Sequence, residues 1–260
     1  MAPSELLSLL PGELRRLGLR DPLPDGQFGR DAPVGPGCPG FSDAQGPASE
    51  GPSPGIHACR GLAAESLGLR RGRREVFRGV SLGLGPGELK ALTGPNGAGK
   101  TSLGRILCGL ARETAGRVLW DGRPLRPGGR ARRASMVASE PQGQLLGDTA
   151  ENELRLSGAD GPDALAILEE LGLGPSAARH PFALSGGQRQ KLVVASASLR
   201  PQPSIFLDEP TSGLDLANMS LVASFLRRLA DSGRAIIVAT HDMELVGECR
   251  APTIPLPRRA

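Results

Sequence analysis

The chain has no tyrosine, one tryptophan and six phenylalanines in 260 residues. That scarcity argues against a fold or a binding site built on stacked rings. Lysine is nearly as rare: only Lys90, Lys100 and Lys191 occur, against 28 arginines. Such a skew reads as a coding bias rather than a nucleic-acid footprint, so the formal charge of +4 does not point to DNA or RNA. The four cysteines (Cys38, Cys59, Cys108 and Cys249) form no CxxC pair. They suggest neither a zinc site nor a disulfide framework, and they fit a reducing compartment. No run approaches the ~18 apolar residues that span a bilayer. The first residues lack the basic start and apolar run of a signal peptide.

Glycine (37) and proline (24) are abundant, and they are unevenly placed. Residues 4–19 show helix-like apolar spacing broken by Pro11-Gly12. Residues 20–55 hold eight prolines and eight glycines, a composition that buries too little apolar surface to offset its ordering entropy. The expected organisation is a short amphipathic extension (1–19), a flexible linker (20–55) and an α/β domain (56–260). Within that domain, residues 88–93 read as a strand. From Thr101 a helix is expected, with Leu103, Ile106, Leu107 and Leu110 on one face. Val118-Leu119-Trp120 followed by Asp121-Gly122 reads as a strand and hairpin turn. Residues 163–171 read as a helix. The unbroken apolar runs at 205–207 and 235–239 read as buried parallel strands. Leu221, Val222, Phe225, Leu226 and Leu229 read as the core stripe of the helix between them.

Gly94-Pro95-Asn96-Gly97-Ala98-Gly99-Lys100-Thr101, followed by Ser102, satisfies G-x-x-x-x-G-K-[ST] between a strand and a helix. Glycines let backbone N–H groups turn around phosphate oxygens, and the helix start adds a positive dipole. Lys100 is expected to reach the β/γ-phosphates of ATP, and the Thr101 hydroxyl to ligate Mg²⁺. The apolar run at 205–207 ends in Asp208-Glu209, at the edge where parallel sheets bind ligands. Asp208 is expected to hold the metal through water. Glu209 is expected to orient and deprotonate the attacking water.

Leu184-Ser185-Gly186-Gly187-Gln188-Arg189-Gln190 starts a helix with bare glycines, a second phosphate receptor in a chain that already has one. Together the three motifs resemble those of the nucleotide-binding subunit of an ATP-binding cassette (ABC) transporter, over roughly residues 56–255. The resemblance implies a phosphate-loop NTPase core with a mainly parallel sheet, an antiparallel β subdomain and a helical signature subdomain. It implies an ATPase in which two subunits, alike or different, sandwich two ATP molecules between one phosphate loop and the other's Ser185–Gln188 segment. Asp215 in Ser212-Gly213-Leu214-Asp215 resembles the D-loop of the dimer interface, and His241 the switch histidine at the γ-phosphate. His57 and His180 match no catalytic position.

Two positions depart from the family pattern. Where the family puts an aromatic ring under adenine, this chain has Arg71, with Leu69 nearby; a guanidinium plane can also stack on a base. Where the γ-phosphate-sensing glutamine is expected, it has Ser139, with Gln142 and Gln144 following. Either Ser139 acts through water or the loop takes another register. The stretch 140–154 is similar to the same region of energy-coupling-factor importer ATPases, including cobalt-type ones. That implies import of a vitamin or metal ion from the cytoplasmic face, through transmembrane subunits contacted around Gln144. An exporter ATPase of the same fold, or a weakly hydrolysing cassette paired with an active sister, are the alternatives. Residues 4–19 also resemble the C-terminal tail of such an ATPase, which leaves a tandem-duplication remnant and a chance extension both open. The close approach of His241 to Ala260 reads as the lack of a regulatory extension.

Overall fold

The computed structural model describes residues 60–139 and 145–256. Residues 1–59, including the extension, the whole linker and His57, lie outside it, as do Gln142 and Gln144.

Two sheets make the frame. The first is antiparallel. Strand β1 (Leu62–Arg71) pairs with β2 (Arg74–Leu84), and on its other edge with β4 (Ala115–Trp120), which pairs with β5 (Arg123–Pro124). The β4–β5 turn is the expected Asp121-Gly122, both with positive φ (49° and 73°), the two-residue geometry that matches strand twist. The second sheet has five strands in the order β6-β7-β8-β3-β9, all parallel. They are β3 (Leu89–Thr93), β6 (Ala134–Val137), β7 (Ser204–Asp208), β8 (Ala235–Thr240) and β9 (Thr253–Pro255). Every residue of β7 and β8 is buried, as expected of central strands covered on both faces.

Helices cover the parallel sheet. Helix α1 (Lys100–Leu107) follows β3, and α2 (Pro127–Ala131) precedes β6. Helices α3 (Ala150–Ser157), α4 (Gly161–Glu170) and α5 (Gly186–Ser198) form the helical part between β6 and β7. Helix α6 (Leu216–Asp231) lies between β7 and β8, and α7 (Met243–Cys249) between β8 and β9. One apolar cluster joins α3 to α6 with one face of the parallel sheet. A second joins α1 and the antiparallel sheet to the other face through Leu103, Ile106, Phe206 and Ile237. The expected α/β class, with its parallel core, antiparallel β part and helical part, is what the chain adopts. Among the described residues no helix is long and apolar enough to cross a membrane.

Two core assignments are corrected. Leu110 is not on the face of α1: it is 65% exposed, beyond the helix end. Gly109 stops the helix there with φ +75°, and a Cβ on it would fall 2.2 Å from the carbonyl oxygen of Pro127. Leu221 is 39% exposed, and the stripe of α6 runs through Met219, Val222, Ala223, Phe225, Leu226 and Ala230. Leu221 lies on the solvent flank, one residue from the true 3.6-period face. The other helix expected from the sequence, 163–171, is α4, which starts two residues earlier and ends one earlier.

Cys108 and Cys249 are free and buried. Burial pushes their thiols up, to about 12 and about 11 respectively, so neither is a reactive thiolate at neutral pH.

Gly104 of α1 sets how closely that helix lies on β7, because a Cβ there would fall 2.3 Å from the Phe206 ring. Gly104→Val adds volume and β-branching at once. It is expected to cost about 3 kcal/mol, read as a lower midpoint in urea unfolding.

Candidate nucleotide-binding site

The phosphate-loop residues run from Gly94, at the end of β3, to Gly99, which N-caps α1 with φ +101°. A Cβ on Gly99 would lie 2.8 Å from Val76 Cγ1, so a side chain is excluded there and the loop backbone stays uncovered. The Lys100 ammonium is buried across the loop. It donates to the Gly94 carbonyl oxygen at 2.7 Å and lies 3.7 Å from Glu209 Oε1. The Thr101 hydroxyl donates to Asp208 Oδ2 at 2.6 Å.

Asp208 and Glu209 follow β7 but sit in different environments. Asp208 is 2% exposed, and burial raises its pKa above the usual aspartate value. The Glu209 carboxylate adds to that rise, while the Thr101 hydrogen bond, Lys100 and Arg105 oppose it. Glu209 has φ +49°, a left-handed conformation unusual for a residue with a side chain. Its N–H donates to Ala239 O at 2.8 Å. Its carboxylate is gripped from β8 and beyond: the Thr240 hydroxyl donates to Oε2 at 3.0 Å, and His241 Nδ1 lies 2.8 Å from Oε1.

These groups line one end of a cleft of about 840 Å³. Pro95, Asn96, Gly97, Gly99, Lys100, Thr101, Ser102, Asp208 and Glu209 form that end, and Ser139 lies on its wall. The β1–β2 hairpin adds Arg71, Arg73, Arg74, Glu75 and Val76 to the lining, with Val76 against Gly99 and Arg71 beside Ser102. Between the two residues expected near the base, the structure separates their places. Leu69 is in the buried core, whereas Arg71 lines the cleft and its Nη2 donates to Ser102 Oγ at 3.4 Å.

Ser185, Gly186, Gly187, Gln188 and Asp215 do not line this cleft. Ser185 N-caps α5 in a capping box with Gln188, and Asp215 N-caps α6 by accepting from Asn218. His180 accepts from the Phe182 N–H and stacks on that ring, apart from the cleft. Five participants escaped the sequence reading: Thr240, Arg73, Arg74, Glu75 and Val76. Thr240 sits one residue before His241 and was legible from that alone. Arg73 and Arg74 were hidden among 28 arginines, and Val76 carries no pattern of its own.

The donors fit a hard cation. Thr101 and Asp208 present oxygens side by side at the loop. The described residues hold no cluster of three or more His, Cys, Asp or Glu that could cage a metal. An ion held here would take its remaining ligands from phosphate oxygens and water, which is the habit of Mg²⁺. The raised Asp208 pKa also has a sign for stability. The folded state binds the proton more tightly than the unfolded chain, so stability falls as pH rises from the usual aspartate value through the raised one. Asp208→Asn is expected to flatten that slope and to raise the nucleotide-free melting temperature at neutral pH by about 2–4 °C, measured by thermal unfolding between pH 4 and 8.

A family model described as ABC transporter matches residues 77–212. A putative ABC transporter ATP-binding protein of Treponema denticola is 42% identical over 187 residues, 71% of this chain and 38% of that protein. The putative HMP/thiamine import ATP-binding protein YkoD of Bacillus subtilis is 34% identical over 71% of this chain and 35% of its own length. This chain thus spans a little over a third of those two relatives. The hemin import ATP-binding protein HmuV of Pseudomonas entomophila is 37% identical over 71% of this chain and 78% of that protein. Among solved structures, cbiO1 of Clostridium perfringens, part of the ABC transporter complex cbiONQ, shares the fold with a TM-score of 0.66. Its identity is 23%, over 78% of this chain and 88% of that one. By motif order, sheet topology and these matches, the chain belongs to the ATP-binding proteins of the ABC transporter family.

Proposed function

We propose that this chain binds and hydrolyses ATP to drive a transmembrane importer from its cytoplasmic face. The observation that carries the reading is the held carboxylate. Glu209 is fixed by Thr240 and His241 beside the Lys100 loop and the Thr101–Asp208 pair. A carboxylate so placed can orient a water for in-line attack on a γ-phosphate and accept its proton. Lys100 meets the β/γ-phosphate charge and His241 the γ-phosphate. The amides of residues 94–99 and the start of α1 take the remaining oxygens. Thr101 and Asp208 would hold Mg²⁺, which supplies charge neutralisation at the β- and γ-oxygens. Catalysis then rests on position and electrostatics.

The pairing with a second cassette follows from the same layout. Ser185, Gly186, Gly187, Gln188 and Asp215 lie away from the chain's own cleft, so they are free to serve a partner's nucleotide. Importer relatives support the direction of transport: the names of two of them specify hemin and HMP/thiamine import. The energy-coupling-factor type, with a vitamin or metal ion as cargo, is the finer form of this reading. It rests on the resemblance at residues 140–154. Leu146 within that segment, at 86% exposure, and Leu156 within α3, at 63%, suit contact with membrane subunits.

A weakly hydrolysing cassette paired with an active sister is the second reading, favoured by Arg71 and Ser139 on the cleft wall. Hydrolysis by the purified chain, with and without Mg²⁺, separates the two. Glu209→Gln is expected to keep nucleotide affinity and to slow turnover at least about a hundredfold. Hydrolysis at near wild-type rate would refute the base assignment. Arg71→Ala is expected to weaken ATP binding by about tenfold in equilibrium titration, through loss of a planar cation at the base end.

A further inference from the structure

Helix α5 grips the connection between β7 and α6 at three points. Gln190 and Lys191 are polar side chains in the middle of α5, each 4% exposed. Buried amides and ammonium groups are costly unless bonded. Both direct their bonds to the same segment. Gln190 Nε2 donates to the Glu209 carbonyl oxygen at 3.3 Å, which also accepts from Ser212 N–H at 3.2 Å. Lys191 Nζ donates to Asn218 Oδ1 at 2.6 Å. Asn218 in turn donates to Asp215 from its N–H at 2.8 Å and from Nδ2 at 2.9 and 3.0 Å. Midway, Gly187 leaves room for Leu214, because a Cβ on it would lie 2.8 Å from Leu214 Cδ2.

Positions 187, 190 and 191 are spaced i, i+3, i+4, so they share one face of α5. That face holds the 209–218 segment at its start, its middle and its end. The held segment begins with the left-handed Glu209. A side-chain-bearing residue stays in that conformation only when its surroundings over-determine it. The choice of residue agrees. Lys191 is one of three lysines in a chain that otherwise uses arginine, at a buried place that takes a compact ammonium bound to a single amide oxygen. Burial lowers its pKa, and the Asp215 carboxylate works against that fall.

We propose that Gln190 and Lys191 are positioning residues that lock the head of α5 and the Glu209 backbone into one moving unit. The proposal rests on the role given to Glu209 above. Its consequence is a linkage inside one chain. The Ser185–Gly187 head faces a nucleotide shared with the partner cassette, while Glu209 serves the chain's own nucleotide. A pull on the first is transmitted to the second through a helix, which is stiff, and two hydrogen bonds.

The test uses the full chain with Gln190→Met and Lys191→Met, each near the original volume and without the donor. In the nucleotide-free protein, hydrogen exchange at the amides of residues 212–215 is expected to quicken about tenfold, with α1 unchanged. In steady-state hydrolysis kcat is expected to fall about tenfold while KM for ATP stays within about twofold. Unchanged exchange in 209–218 overturns the clamp. So does a lowered melting temperature accompanied by wild-type kcat, the mark of a merely structural role. If Lys191→Met fails to fold, Asn218→Ala cuts the same contact from the partly exposed side and is read identically; if Gln190→Met fails, Gln190→Leu removes the same donor. A wild-type chain that does not hydrolyse Mg²⁺-ATP refutes the hydrolytic reading alone, because the exchange measurement needs no nucleotide.

Discussion

The ladder between β7, β8 and β3 decides where the phosphate loop, Asp208 and Glu209 sit in the cleft. In that ladder Asp208 lies opposite Ala239, and Thr240 opposite Thr93. Three strands therefore end on one edge, and the three connections that leave them carry the phosphate loop, Glu209 and His241. The backbone bond from Glu209 N–H to Ala239 O extends the ladder one step past Asp208. A slip of one residue would turn Asp208 to the other face and part it from Thr101. Chemistry at this edge is thus a consequence of register before it is a matter of side chains.

Once the register is set, costs accumulate at the same edge. A carboxylate is buried at Asp208, an ammonium at Lys100, and a non-glycine residue is held left-handed at Glu209. Each is unfavourable alone and each is partly compensated by a neighbour: Thr101, the Gly94 carbonyl, Thr240. Charge-bearing groups gathered in a poorly solvated cleft fit a polyanionic ligand that carries its own cation. The rest of the fold is more conventional, with apolar clusters on both faces of the parallel sheet. A ligand bound at this edge would relieve part of those costs.

Much of this was legible in the sequence because motif chemistry is local. The phosphate loop needs glycines, a lysine and a hydroxyl at fixed offsets, and nothing distant alters that requirement. The same holds for the Ser185–Gln188 cap and for the unbroken apolar strands. Legibility failed where neighbours in space decide. Leu110 has the right spacing for α1, but Gly109 packed on Pro127 ends the helix first. Leu69 and Arg71, two apart and so on one face of a regular strand, were indistinguishable as candidates at the base end; the folded chain puts Leu69 in the core and Arg71 on the cleft, past a register shift between Leu69 and Arg70. Gln190 and Lys191 looked like ordinary interior positions of a helix, and only the packed chain shows what they hold.

The sequence by itself determined the family and the fold class and supplied the groups proposed to meet a nucleotide, because backbone turns and helix starts bind phosphate through short-range geometry. Tertiary structure decided the rest. It gathered residues from β1, β2, β7 and the loop after β3 around one cleft and left the Ser185 head outside its lining. It also set α5 against the Glu209 connection. Those arrangements depend on strand register and close packing across the whole chain, and no local pattern of residues encodes them.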